Sequence, residues 1–123
     1  MNKKIIKRIL AVVIGLIAVV CISVSAFAIS VSETVNYGGC KINCAFSQTA
    51  SSLSASMARA SGSANYEYNI KVIYLLNGTS NTVTEWGSSG TNYASYYKPI
   101  SGVRASEGIY YVGQTIVTGL YGT

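Results

Sequence analysis

Residues 65–76 alternate with a period of two. Tyr66, Tyr68, Ile70, Val72, Tyr74 and Leu76 fall on one side; Asn65, Glu67, Asn69 and Lys71 fall on the other, with Ile73 and Leu75 turning apolar near its end. Successive side chains of an extended backbone point to opposite faces, whereas a helix repeats every 3.6 residues. The segment therefore reads as a long strand with one face on a core. Asn77-Gly78 follows at once. That dipeptide tolerates the positive φ of a type I′ turn, which predicts a hairpin to a strand over residues 81–86.

The rest of the chain carries the same period more softly. Val31, Glu33, Val35 and Tyr37 alternate with Ser32, Thr34 and Asn36. In the Ser/Ala-rich stretch 45–60, Leu53, Ala55 and Met57 share a face, and its many Ser residues favour an extended strand over a helix interior. Residues 92–98 form a further strand, closed by Pro99, the only proline. Glu107-Gly108 reads as a second turn. Ile109, Tyr111, Thr115 and Val117 then alternate with Tyr110, Val112, Gln114 and Ile116, Gly113 marking a bulge or kink. Six or seven mostly antiparallel strands joined by Gly, Ser and Asn turns predict an all-β fold. A single small β-sandwich in Greek-key order is the first expectation, and a partly open β-barrel the alternative.

The N-terminus has a different grammar. Lys3, Lys4, Lys7 and Arg8 precede an uncharged apolar run, residues 9–22, and a polar stretch then ends in Ala26-Phe27-Ala28. A basic head, an apolar middle of this length and a small-x-small end are the marks of a helical secretory signal, cleaved between Ala28 and Ile29. The rival reading is an uncleaved anchor, since residues 9–29 reach the ~20 needed to span a bilayer; Ser23 and Ser25 weaken its distal end. Cys21 follows Val20, a β-branched residue where a lipoprotein signal carries a small one, and it leaves with the signal. The expected organisation is thus a signal over 1–28 and one all-β domain over 29–123, secreted and in part held at the cell envelope. Membrane contact is expected only through the signal, if uncleaved.

Charge excludes one class of partner. The chain is formally +5, yet four of its nine cations lie in the signal. Five cations then face Glu33, Glu67, Glu85 and Glu107, and a near-neutral body has no stripe to neutralise phosphates, so nucleic acid is not expected. There is no His and no Asp. The serines have no visible base and no nucleophile elbow. The four Glu are scattered, a pattern more often used to discourage edge-to-edge pairing than to cut a glycosidic bond. No enzyme, metal or cofactor is read.

Cys40 and Cys44 are the two thiols remaining after cleavage, and an exported chain predicts that they pair. Four residues of strand span ~13 Å, too far for a bridge, so the pairing requires the segment to turn. Gly38-Gly39 permits a turn nearby.

Ten tyrosines and Trp86 are the remaining signal. Tyr66, Tyr68 and Tyr74 sit at core-face positions. Tyr96 and Tyr97 are chain neighbours, as are Tyr110 and Tyr111, so within a strand one of each pair reaches the surface. Trp86, Tyr93, Tyr96, Tyr97, Tyr110 and Tyr111 are the candidate binding residues, suited to stacking on sugars or to a protein contact. The plain alternative is that the tyrosines pack as cross-strand pairs on an outer sheet face.

Three resemblances accompany this reading. Tyr37-Gly38-Gly39-Cys40 with Cys44 resembles the Tyr-Gly-Asn-Gly-Val box of pediocin-like bacteriocins, departing from it at Asn and Val and in cysteine spacing. Tyr96-Tyr97-Lys98-Pro99 resembles secreted bacteriocins of the lactococcin 972 type. The chain as a whole is similar to small Ser/Tyr-rich exported β proteins of Gram-positive bacteria, a group without an assigned activity. The expected function is a non-catalytic contact with wall glycan or a surface protein through exposed Tyr and Trp. The alternative is a diffusible bacteriocin-like antimicrobial or effector.

Overall fold

The computed structural model describes residues 28–122. The residues read as a signal, Ala26 among them, lie outside the described residues except for Ala28, and Ile29 opens the first strand. Nine strands follow in order: β1 (Ile29–Tyr37), β2 (Cys40–Gln48), β3 (Ser52–Ser61), β4 (Glu67–Leu76), β5 (Thr82–Trp86), β6 (Gly90–Thr91), β7 (Tyr93–Pro99), β8 (Val103–Val112) and β9 (Thr115–Tyr121). The described residues contain no helix.

The strands build two antiparallel sheets. The four-stranded sheet runs β1-β2-β3-β7, and the five-stranded sheet runs β5-β4-β8-β9 with β6 paired to the start of β4. Greek-key order, in which a fourth strand returns beside the first, is formed within neither sheet: β7 lies beside β3 and β9 beside β8. The inner faces meet in one core. Ile42, Phe46, Leu53 and Met57 come from the first sheet, and Tyr68, Ile70, Val72 and Tyr110 from the second. Burying a side chain of this size contributes about 1.5–3 kcal/mol, which makes these alternate positions the main source of register.

β4 keeps the alternation read from sequence, with Tyr68, Ile70, Val72 and Tyr74 buried. Leu76 continues it, partly buried against the core, while the register to β8 shifts there by one residue at Arg104; Leu75, on the opposite face, is buried as well. The hairpin to β5 forms, but its loop is longer than two residues, because pairing resumes only at Leu75–Thr82. Gly78 alone takes positive φ there (78°), so the turn is not type I′.

The extra strands come from turns that the sequence hid. The stretch 45–60 is two strands, not one. They are joined at Thr49, whose amide and hydroxyl both engage Ser52, with no Gly or Pro present. Gly113 is a hairpin turn between Val112 and Thr115 and not a kink. Glu107-Gly108 is no turn at all but the middle of β8. Gly108 is required because a Cβ there would lie 2.7 Å from the Phe46 ring, which crosses from the opposite sheet.

Cys40 and Cys44 are not bridged. Tyr37 pairs Cys40 across a two-residue loop in which Gly38 and Gly39 both take positive φ (56° and 79°). The turn is therefore complete before Cys40, and both thiols lie on one face of an uninterrupted strand, ~13 Å apart by strand rise. They are free and buried.

Candidate functional site

Chain neighbours in the Tyr pairs part as strand geometry demands. Tyr97 is 68 % exposed on the outer face of the four-stranded sheet, while Tyr96 is 9 % exposed and faces inward. The Tyr96 hydroxyl donates to Glu85 Oε1 at 2.7 Å, and Lys98 Nζ donates to Glu85 Oε2 at 3.1 Å, closing the seam between β7 and β5. The Tyr96 hydrogen bond holds the Glu85 carboxyl below the usual carboxylate range. Burial, then that bond, pushes the Tyr96 hydroxyl up. Tyr110 is fully buried and donates to the Ala45 carbonyl at 2.5 Å, so its own ionisation is disfavoured by burial. Tyr96 and Tyr110 are thus packing residues and leave the candidate site.

The other four candidates divide between opposite faces of the fold. Tyr93 and Tyr97 lie on β7, with Tyr93 54 % exposed. Their register neighbours make three clean rows across the sheet. Ser30, Ser47, Ser54 and Tyr97 form the first; Ser32, Ala45, Ser56 and Ser95 the second; Thr34, Asn43, Ala58 and Tyr93 the third. Rows repeat every two residues, ~6.7 Å, and strands are ~4.8 Å apart. The result is a low plane of small hydroxyl side chains bordered by two standing phenol rings. Ser30 donates to Ser47 at 3.2 Å and Thr34 to Asn43 at 2.9 Å, which orders part of the plane.

Local structure fixes this border. Asn92, the only non-glycine described with positive φ (63°), makes the corner from β6 into β7. Its amide donates to the Tyr66 carbonyl at 2.8 Å and its side-chain nitrogen to Asn65 Oδ1 at 2.7 Å. On the far side of β7, Ser88 and Ser95 exchange backbone hydrogen bonds at 2.7 and 3.0 Å. The tyrosines therefore stand on a strand held along both edges.

Trp86 and Tyr111 occupy the outer face of the five-stranded sheet. Their ring centroids are 5.3 Å apart, and Lys71 Nζ lies 5.6 and 5.8 Å from the two rings. Contacts of that length are favourable cation–π geometry. The ammonium is thus engaged by its own neighbours. On the same face Glu107 is only 2 % exposed, and neither carboxylate oxygen has a hydrogen-bond partner among the described residues.

The glutamates depart from the expectation of scattered exposed charges. Glu67 alone is exposed. Glu33 faces inward and accepts from the Thr118 hydroxyl, Glu85 closes the opposite seam, and Glu107 is buried. The three lie in different parts of the fold. Sequence reasoning missed the hydroxyl rows: small polar residues recur at alternate positions within β1, β2 and β3, but only the strand registers bring them into line. Compared with known proteins, the chain matches no family model, no curated protein and no solved structure.

Proposed function

We propose that the chain is an exported, non-catalytic binding protein that attaches to cell-surface glycan through the outer face of the four-stranded sheet. The observation that carries this reading is the pairing of two exposed rings, Tyr93 and Tyr97, with a plane of hydroxyl side chains. A pyranose ring offers an apolar C–H face and an edge of hydroxyls. An exposed phenol covers the first at low entropic cost, and Ser and Thr hydroxyls exchange hydrogen bonds with the second. Trp86 and Tyr111 belong to a separate surface, with Lys71 already seated on them, and take no part in this contact.

The test is fractionation of a producing culture, followed by sedimentation of purified protein with isolated walls. Wild-type protein is expected in the envelope fraction and in the wall pellet. The Tyr93→Ala/Tyr97→Ala double variant is expected in the supernatant with an unchanged far-UV circular dichroism spectrum. Wild-type protein that stays wholly in the medium, without affinity for walls, removes this reading and favours a diffusible effector.

A further inference from the structure

Resting on the reading above, we infer that the bound glycan is an uncharged polymer, and that it lies across the strands in the depression that ends at Tyr93. The twelve residues in the three rows are Ser, Thr, Ala, Asn and Tyr, with no Lys, Arg or Glu among them. Lys41 occupies the next row out, and Lys98 is turned inward onto Glu85. A polyanion such as a phosphate-bearing wall polymer finds no partner on this plane, and its desolvation would go uncompensated. A neutral glycan has no charge to desolvate there, and its hydroxyls can exchange water for the hydroxyls of the rows.

Shape gives the direction. Between the second and third rows runs a depression of about 480 Å³, crossing β1, β2 and β3 and ending at Tyr93. A smaller one of about 240 Å³ adjoins it on the other side of the line Ser32–Ala45–Ser56 and stops at β3. The methyl groups of Ala45 and Ala58 set the floor of the larger depression, and Ser32, Thr34, Asn43 and Ser56 supply hydroxyl and amide groups along it; Glu33 and Cys44 complete the lining from positions on the inward-facing side of β1 and β2, where the Glu33 carboxylate accepts from Thr118. Four strands make it ~14 Å long. The Thr34 hydroxyl is donated to Asn43 Oδ1, which leaves the amide hydrogens of Asn43 as donors for a sugar. A chain in this depression meets Tyr93 end-on to the row and passes Tyr97 at a distance.

Sedimentation with insoluble chitin, insoluble β-glucan, and walls with and without their anionic polymer tests the inference. Wild-type protein is expected to bind at least one of the two neutral polymers, and walls stripped of anionic polymer as well as intact ones. That binding should be unaffected by salt that screens exposed charges. Tyr93→Ala and the depression-filling Ala58→Leu should each weaken it about tenfold or more, and Tyr97→Ala less. Ala45→Leu repeats the filling test at a second floor position, and melting temperatures confirm that each variant is folded. Trp86→Ala should bind as wild type, and the emission of this single tryptophan should not shift on binding. Wall binding that is sensitive to the tyrosines but lost with the anionic polymer, or with salt, overturns the inference and leaves the glycan reading standing. A larger loss from Tyr97→Ala than from Tyr93→Ala overturns the direction. Failure to bind any polymer or wall overturns both.

Discussion

The Tyr96 hydroxyl and the Glu85 carboxylate are joined at 2.7 Å across the seam where β7 of one sheet meets β5 of the other. A hydrogen bond to a charged acceptor in a partly buried seam contributes about 1–2 kcal/mol net. Tyr96→Phe keeps the ring and removes only the donor, so it should lower stability by about that amount at neutral pH. The bond holds the folded-state carboxyl below its ordinary value of 4.5, so its stabilisation is present above that value. It is lost as pH falls through the lower folded value. The gap between wild type and variant should therefore close in strong acid, as read by urea denaturation along a pH series.

Glu107 should give the opposite slope. Burial pushes its carboxyl up to about 8 from 4.5, against the pull of the Lys71 ammonium. The folded chain then keeps a proton that the unfolded chain releases. Stability from this group is complete below 4.5 and declines as pH rises toward about 8, by up to about 1.4 kcal/mol per pH unit. Glu107→Gln should flatten that decline and raise stability in mild alkali. Parallel pH profiles for the two proteins would show that the folded state does not hold the proton.

The two thiols should remain thiols even in an oxidising medium. Cys44 is pushed up to about 12 by burial and then by the nearby Glu33 charge, so at neutral pH it is protonated and unreactive. Iodoacetamide should leave the native protein unmodified. In denaturant, without any reductant, it should add to both Cys40 and Cys44, as read by intact mass. Modification only after reduction would mean that β2 is bent in solution.

The fold was legible wherever the period of two was strong, because burial on one face dictates the parity of every side chain in a strand. Parity also told that Tyr96 and Tyr97 must part, and likewise Tyr110 and Tyr111. It did not tell which member goes inward, since that depends on which face of β7 or β8 meets the opposite sheet. The hydroxyl rows were illegible for a related reason. Ser32, Ala45, Ser56 and Ser95 become one line only through three successive registers, and β7 joins β3 across the long intervening segment 62–92. Turns misled in both directions. Thr49 to Ser52 turns without Gly or Pro, while Glu107-Gly108 carries turn composition inside a strand.

Gly108 shows why that last signal was misread, and it allows a direct check. Its φ is not in the left-handed region, so nothing in the backbone asks for glycine. The demand is steric. Phe46 comes from β2 to lie on β8, and a methyl at position 108 would stand 2.7 Å from Cδ1 and 3.1 Å from Cε1 of its ring. Neither β8 nor the Phe46 ring has a free direction in a close-packed core, so Gly108→Ala should destabilise by about 1–3 kcal/mol, the range for overpacking. Shortening the opposing side chain should offset the clash. Gly108→Ala combined with Phe46→Leu should therefore cost less than the sum of the two single changes, a coupling that a double-mutant cycle on denaturation midpoints reads directly. Additive losses would place the Phe46 ring elsewhere and leave Gly108 without its reason.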